Sequence, residues 1–135
     1  MKTELFYLSL TTILTGVLWI PVVIGYVSSG RRLTPDTYKV ASTAPLPAWV
    51  DRANRAHVNA VENFAPFAAV VLTAHASAVS STVTASCAAI YFYARLAHAV
   101  VHISGFGLFF ARTVIFTVAW VAFITYAVIL LRAMW

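Results

Sequence analysis

The stretch Arg55–Ala74, RAHVNAVENFAPFAAVVLTA, joins a polar beginning to an apolar continuation with no turn signal between them. From Phe64 onward it contains only apolar residues, one proline and one threonine, as a helix inside a membrane would. Its first half carries an arginine, a histidine, a glutamate and two asparagines. Charged side chains are costly within a bilayer and are kept mainly where they have a use. The stretch therefore predicts a membrane helix whose first half is specialised.

The composition of the whole chain agrees with a membrane protein. Of the 135 residues, 61% are hydrophobic and only 10% are charged, which excludes an ordinary soluble domain. A helix needs about 20 apolar residues to cross a bilayer. Four stretches are long enough, at about residues 4–27, 57–79, 82–103 and 108–131. The sequence therefore predicts one all-α domain over residues 1–135, an integral membrane four-helix bundle.

Two features of the sequence limit the alternatives. Lys2 precedes the first apolar run, as it would in a signal peptide, but the run is too long and Trp19 and Pro21 do not suit a cleavage site. We therefore interpret this run as the first span. The single cysteine, Cys87, excludes an intrachain disulfide and a cysteine-based metal cluster. We expect it to be a small packed residue.

The basic residues predict an orientation in the membrane. Most of them lie in or beside the first connection, residues 28–50: Arg31, Arg32, Lys39, Arg52 and Arg55. Because positive loops stay in the cytoplasm, we expect this loop inside and both termini outside, in the inner membrane if the protein is bacterial. This orientation accounts for the basic residues behind the net charge of +5 without a nucleic-acid partner.

A polar stripe runs along the second predicted helix. Arg52, Arg55, Asn59 and Glu62 are spaced three, four and three residues apart, so they share one helical face. At about 1.5 Å per residue, Glu62 lies about 15 Å along the axis from Arg52, about half the hydrocarbon thickness. Asp51 is the expected N-cap of this helix.

A second polar stripe lies in the third span, where Arg95, His98 and His102 are three and four residues apart. Because successive spans are expected to be antiparallel, the end of the third span lies beside the start of the second. Arg112, at the start of the fourth span, lies on the same side of the membrane. Eight polar residues are therefore expected in one half of the membrane: Arg52, Arg55, Asn59, Glu62, Arg95, His98, His102 and Arg112.

These residues favour a polar cavity that binds a ligand over the alternative of a purely structural ion-pair network. Pro66 removes the helical partner of the Glu62 carbonyl and so frees further backbone polarity beside the carboxylate. Arginines outnumber the single glutamate, so the ligand should be anionic and offer one cationic group to Glu62. A small peptide with two carboxylates and one ammonium fits this description, and an apolar co-substrate would enter from the lipid.

Two motifs resemble one known family. The pattern Arg52-x-x-Arg55-Ala-His-x-Asn59-x-x-Glu62-x-x-x-Pro66-Phe67 resembles the second-helix signature of the MAPEG superfamily, membrane-associated proteins in eicosanoid and glutathione metabolism. The pattern Arg95-Leu-Ala-His98-x-x-x-His102, followed by Arg112-Thr113, resembles the third-to-fourth helix region of its prostaglandin E synthase and glutathione transferase members. Length and the long first connection also agree.

The resemblance implies a left-handed bundle that assembles as a homotrimer, with glutathione bound between subunits on the cytoplasmic side. It implies that Arg55, Asn59 and Glu62 hold the tripeptide and that Arg112 faces the thiol. The remaining members of the expected binding set are Arg52, Arg95, His98 and His102. The implied activity is a glutathione-dependent transferase or peroxidase that acts on lipophilic electrophiles or hydroperoxides.

Three other functions compete with this one. Val58 and His102 stand where glutathione-using members often have a basic residue and a tyrosine, which motivates a non-catalytic lipid-binding or scaffold protein. The spacing of His98 and His102 suits one metal ion, although the sequence offers no third ligand. A proton path would need polar groups in the outer half, where His75 is almost alone.

Overall fold

The described part of the chain is folded mainly into α-helices, five in number. The computed structural model describes residues 2–30, 35–38, 45–107 and 110–135, and within these ranges it contains no strand. The helices are α1 Lys2–Val17, α2 Trp19–Ser28, α3 Ala48–Ala76, α4 Thr82–Ser104 and α5 Ala111–Met134, and the 3-10 turn is Pro35–Tyr38. The basic residues Arg31, Arg32 and Lys39 lie outside the described residues.

The first predicted span consists of α1 and α2, separated at Leu18. Pro21 follows this break by three residues and has no backbone N–H to donate to the carbonyl of Val17. The missing hydrogen bond explains why the helix is interrupted there. The two pieces together cover 27 residues, Lys2–Ser28.

Helix α3 begins earlier than hydropathy predicts, at Ala48 instead of residue 57. The predicted boundary marks only the apolar part, whereas the helix also includes the polar turns before it. Its N-cap is Pro47, so the prediction of Asp51 as N-cap was wrong; Asp51 lies in the first helical turn. Pro66 lies inside the helix without ending it.

Both ends of α4 carry recognisable caps. At its start, Ser81 and Thr84 form a capping box, in which each side chain bonds the other residue's backbone N–H. At its end, Gly105 takes the left-handed conformation with φ of 76°. Helix α5 begins at Ala111, and residue 108, the predicted start of the fourth span, lies outside the described residues.

The helices form a bundle in which α4 packs against α1, α3 and α5. Consecutive spans are antiparallel, since the start of α3 meets the end of α4 and the end of α4 meets the start of α5. The core centres on Phe67 and Tyr91, whose rings stack 3.8 Å apart, and on the fully buried Tyr126. Cys87 is buried in this core, as expected for a packed residue.

Among the described residues, two helical stretches are both long and apolar enough to cross a membrane, Lys2–Ser28 and Ala111–Met134. Helices α3 and α4, with 29 and 23 residues, have sufficient length but carry the polar stripes. At about 1.5 Å per residue, each of these two is longer than the hydrocarbon core of about 30 Å.

A buried carboxylate joins α1 to the turn between α3 and α4. Glu4 is only 2% exposed, and its Oε1 accepts hydrogen bonds from the hydroxyls of Ser80, at 2.7 Å, and Thr84, at 2.8 Å. Thr84 Oγ1 also accepts from the backbone N–H of Ser81 within the capping box. One hydroxyl therefore links the α4 cap to α1. Glu4 was not among the candidate residues predicted from the sequence.

We expect Thr84→Val to lower the free energy of unfolding by about 1.5–3 kcal/mol, the range for a hydrogen bond to a charged group. The change keeps the shape of the side chain while removing the hydroxyl. Denaturant unfolding in detergent measures it, with Thr82→Val, at an exposed position of the same turn, as the control. Equal unfolding midpoints for the two variants would contradict a stabilising role for this link.

Candidate functional site

The two polar stripes meet through Arg95 and Asn59. Arg95 is 5% exposed, and its Nη2 donates to the Oδ1 of Asn59 at 2.9 Å and to the main-chain oxygen of Asn59 at 3.1 Å. The side chain of Asn63 donates to the same main-chain oxygen. A buried guanidinium thus bonds α4 to α3 and fixes the amide of Asn59. The Nη1 of Arg95 is buried and has no partner among the described residues.

Arg52 forms a second link between the same helices, at the other end of the stripe. Its Nε donates to the carbonyl of Ile103 at 3.1 Å, one of the α4 carbonyls left without a helical partner. Its guanidinium lies against Gly105, whose missing side chain leaves room for it. A Cβ on Gly105 would lie 2.9 Å from the Cζ of Arg52. The left-handed backbone favours glycine at this position, and a side chain here would displace the guanidinium of Arg52.

A left-handed conformation costs a residue with a side chain about 1–2 kcal/mol. We therefore expect Gly105→Ala to lower the free energy of unfolding by more than this amount. The added methyl also pushes Arg52 away from Ile103. Thermal unfolding in detergent measures the effect. Gly30→Ala is the matched control, because Gly30 is also left-handed, with φ of 73°, and a Cβ there meets nothing within 4 Å. If the two variants lower the unfolding temperature equally, the contact with Arg52 contributes nothing to stability.

A third contact brings α5 to α4. The Nη1 of Arg112 lies 3.4 Å from the Nε2 of His102. The ring of His102 packs edge-on against that of His98, with centroids 5.5 Å apart, and His98 in turn lies 5.9 Å from the ring of Phe116. His98 is buried, whereas Arg112 is exposed in the single chain.

These residues surround two adjoining cavities. The rim cavity, of about 340 Å³, is lined by Arg52 and by residues of the α4–α5 connection. The helix cavity, of about 400 Å³, is lined by Asn59, His98 and Phe116. Both volumes are in the range of small-molecule sites, about 300–1,000 Å³. The residues that line both cavities are Arg55, His102, Arg112 and Thr113.

The walls of these cavities are cationic. Arg52, Arg55 and Arg112 line them, and none of the described residues in the walls is a carboxylate. Arg112 also lies in the first turn of α5, where the helix dipole is positive and a cation is disfavoured. The same turn offers backbone N–H groups without helical partners. This concentration of donors and positive charge suits an anionic ligand.

Comparison with known protein families identifies the chain. The profile of the MAPEG family matches residues 5–132, nearly its whole length. The chain belongs to the MAPEG family. Searches of curated proteins and of solved structures found no match.

Membership in the MAPEG family confirms the recognition made from the two motifs and the fold class, a membrane protein built as a helical bundle. It also places the chain, in general terms, among the membrane proteins of glutathione and eicosanoid metabolism. The family match covers all four predicted spans, including α3 and α4 with their polar stripes.

The structure of this MAPEG chain does not bring all eight predicted residues to the cavities. Six line one or both: Arg52, Arg55, Asn59, His98, His102 and Arg112. Arg95 lies behind the wall and bonds Asn59. Glu62 lines neither cavity, and within the described parts of the chain its side chain forms no hydrogen bond or ion pair.

Glu62 is exposed on the outward face of α3, among the exposed apolar residues Val58 and Val61. Sequence reasoning did not identify the roles of Thr113 and Phe116, although Phe116 lies one helical turn after Arg112 and could have been included by its spacing. As to metal binding, the described residues contain no group of three or more potential ligands, so His98 and His102 lack a third.

Proposed function

We propose that the protein is a glutathione-dependent membrane transferase or peroxidase acting on lipophilic electrophiles or hydroperoxides. The observation that carries the proposal is the pair of cationic cavities at the junction of α3, α4 and α5. Glutathione has two carboxylates, one ammonium and a thiol. Arg52 and Arg55 provide donors for the carboxylates, and the amide of Asn59, fixed by Arg95, provides a further polar contact.

Glu62 is the proposed partner of the ammonium. It shares a helical face with Arg55 and Asn59, and its carboxylate has no partner in the described chain. An unpaired carboxylate facing lipid is costly. We propose that a ligand and a neighbouring subunit cover it, with three copies of the chain forming a homotrimer around sites between subunits.

Arg112 is the proposed catalytic residue. A free cysteine thiol has a pKa of about 8.5, and only the thiolate is strongly nucleophilic. A guanidinium close to the sulfur favours the thiolate over the thiol. Arg55 and Arg112 line both cavities. A ligand bound to Arg55 in either cavity would therefore also lie close to Arg112.

The thiolate would then react with a substrate that enters from the lipid. With an electrophile, a carbon–sulfur bond forms and the leaving group departs with the electron pair. With a hydroperoxide, the sulfur takes the terminal oxygen as the O–O bond breaks, and the alkoxide released takes up a proton. A second glutathione then displaces water from the oxidised sulfur and forms the disulfide.

Calorimetric titration of glutathione into the detergent-purified protein tests the proposal. We expect saturable binding, and Glu62→Gln should weaken it about tenfold or more, as expected for a hydrogen bond to a charged group. Asp51→Asn is the control, since Asp51 is an exposed carboxylate of the same helix that lines neither cavity. Absence of binding at millimolar glutathione would overturn the proposal.

The assembly and the orientation are separate parts of the proposal. We propose that the site and the first connection face the cytoplasm, which the positive charge of that connection supports. Native mass spectrometry of the detergent complex tests the homotrimer. Labelling of a cysteine introduced at the exposed Gly30, in a Cys87→Ala background, by a membrane-impermeant reagent tests the orientation.

A non-catalytic lipid-binding protein is the second candidate. It is favoured by two apolar grooves between α4 and α5, of about 370 and 410 Å³, which share Ile90 and Val118. This candidate predicts that lipids stay bound during purification and that glutathione is not turned over. Mass spectrometry of lipids extracted from the purified protein distinguishes it from the transferase when combined with the titration above.

A further inference from the structure

We propose that His102 is a positioning residue, a neutral imidazole with its proton on Nδ1 whose Nε2 accepts a hydrogen bond from Arg112. Through this bond it holds the guanidinium at the junction of the rim and helix cavities. The inference rests on the proposed function where it concerns the thiol of glutathione. The protonation pattern of the ring is a property of the protein alone.

The chemistry of the contact decides which nitrogen carries the proton. The Nη1 of Arg112 lies 3.4 Å from the Nε2 of His102. A guanidinium has only donors, so a hydrogen bond between them requires a lone pair on Nε2. The proton of the neutral ring must then lie on Nδ1. The distance is at the long end for a hydrogen bond, so the contact directs the guanidinium without immobilising it fully.

The charges around His102 favour the same arrangement. The groups of positive charge that surround the two cavities come from all three helices: Arg52 and Arg55 on α3, Arg95 on α4 and Arg112 on α5. His98 is the other titratable group in the walls. A second proton on His102 would turn the acceptor into a donor facing Arg112 and would add a further cation to these walls.

Packing keeps the ring in place. His102 is held edge-on by His98, which is itself buried beside Phe116. The Nδ1 of His102 is buried and has no hydrogen-bond partner among the described residues, so the contact with Arg112 is the hydrogen bond open to this ring there. Arg112, in contrast, is exposed and has a long flexible side chain. Without an acceptor, a guanidinium at the end of a membrane helix is free to extend toward lipid headgroups. A fixed acceptor on α4 therefore restricts a mobile donor on α5.

Nitrogen NMR of histidine-labelled protein in detergent tests the protonation of the ring without any glutathione. The signal of His102 is assigned by its loss in His102→Phe. We expect a neutral ring protonated at Nδ1, and we expect Arg112→Ala to allow the other tautomer to appear. A wild-type ring protonated at Nε2, or at both nitrogens, would overturn the proposal.

Kinetics test the consequence for the thiol. His102→Phe should lower turnover on the order of tenfold to a hundredfold through misplacement of Arg112. The dissociation constant of glutathione should change less than about threefold, because Arg55, Asn59 and Glu62, which are proposed to hold glutathione, are unchanged. His102→Gln keeps an acceptor oxygen and should recover most of the turnover. His75→Phe, at an exposed position in the last turn of α3, is the matched control.

The outcomes separate the two proposals. A loss of turnover in His102→Gln at least as large as in His102→Phe would mean that an acceptor oxygen does not restore the placement of Arg112. A parallel loss of glutathione affinity would mean that the ring contacts the ligand itself. Either result would overturn the positioning role. A wild type that binds no glutathione would overturn the proposed function. The tautomer of His102 would still be decided by NMR in that case.

Discussion

Replacing Arg112 with alanine should lower kcat/KM for glutathione transfer by about 10²–10³, equivalent to about 2.7–4 kcal/mol, as for removal of one donor from a developing anion. Only a few per cent of a free thiol is ionised near neutral pH. A nearby guanidinium lowers a thiol pKa below its free value of about 8.5, so loss of Arg112 removes most of the bound thiolate. Ultraviolet absorbance of the thiolate, at saturating glutathione, and steady-state kinetics measure the two effects.

The matched control is Arg132→Ala, because Arg132 lies in the last turn of the same helix, at the opposite end from the cavities. Arg112→Lys should fall between alanine and wild type, since it keeps the charge but loses the fork of donors that the guanidinium provides. Glutathione affinity should change much less than turnover in both Arg112 variants. Unchanged turnover in Arg112→Ala would remove Arg112 from the chemistry.

Helical periodicity in the sequence was sufficient to predict the meeting of the two stripes. Residues spaced three and four apart share a face whatever surrounds them, and short connections make neighbouring helices antiparallel. Together these rules predict that the two stripes and Arg112 lie in the same half of the bundle. The individual contacts, Asn59 with Arg95 and Arg112 with His102, are seen only in the structure.

Periodicity does not reveal how each helix is rotated about its axis relative to its neighbours. Glu62 and Asn59 share a face of α3, but the cavities are walled by α4 and α5 on one side of that face only, so Asn59 lines a cavity and Glu62 does not. Arg95 lies one turn deeper than His98 along α4 and is covered by α3. Side-chain packing between helices decides these outcomes.

The sequence also does not reveal contacts between residues that lie far apart in the chain. Glu4 is 76 and 80 residues away from the two hydroxyls that bond it, and no local pattern connects them. The approach of Arg52 to Gly105 is of the same kind: the glycine indicates a helix end, but the guanidinium beside it comes from another helix. Hydropathy likewise located the apolar core of α3 but not its polar start at Ala48.

The largest effect on stability is expected for Asn59→Leu, which should lower the free energy of unfolding by on the order of 3 kcal/mol. The substitution removes a hydrogen-bond acceptor of the buried guanidinium of Arg95. The side chain of Arg95 is only 5% exposed, and its Nη2 donates a hydrogen bond to the Oδ1 of Asn59 at 2.9 Å. In the variant the guanidinium keeps only the main-chain oxygen of residue 59. The free energy of unfolding in detergent, from denaturant titration, measures the loss, with Asn54→Leu at an exposed position of α3 as the control.

Arg95→Met should cost less, about 1 kcal/mol, the net value of an ordinary hydrogen bond. It removes the buried charge together with its desolvation penalty, and the half-buried Asn59 amide can still be reached by water. In the double variant neither an unpaired charge nor an unpaired amide remains, and replacing both partners by apolar groups is often nearly neutral. We therefore expect the double variant to be more stable than Asn59→Leu alone.

The double-mutant cycle isolates the contact from the effects of each substitution by itself. Residues that share a hydrogen bond typically couple by about 0.5–3 kcal/mol, whereas independent sites add to within about 0.3–0.5 kcal/mol. We expect coupling in the upper part of the first range, since the donor is a charge that the bundle buries. Additive losses from Asn59→Leu and Arg95→Met would mean that Arg95 is stabilised by groups other than Asn59, and Asn59 would then face the helix cavity without being held by α4.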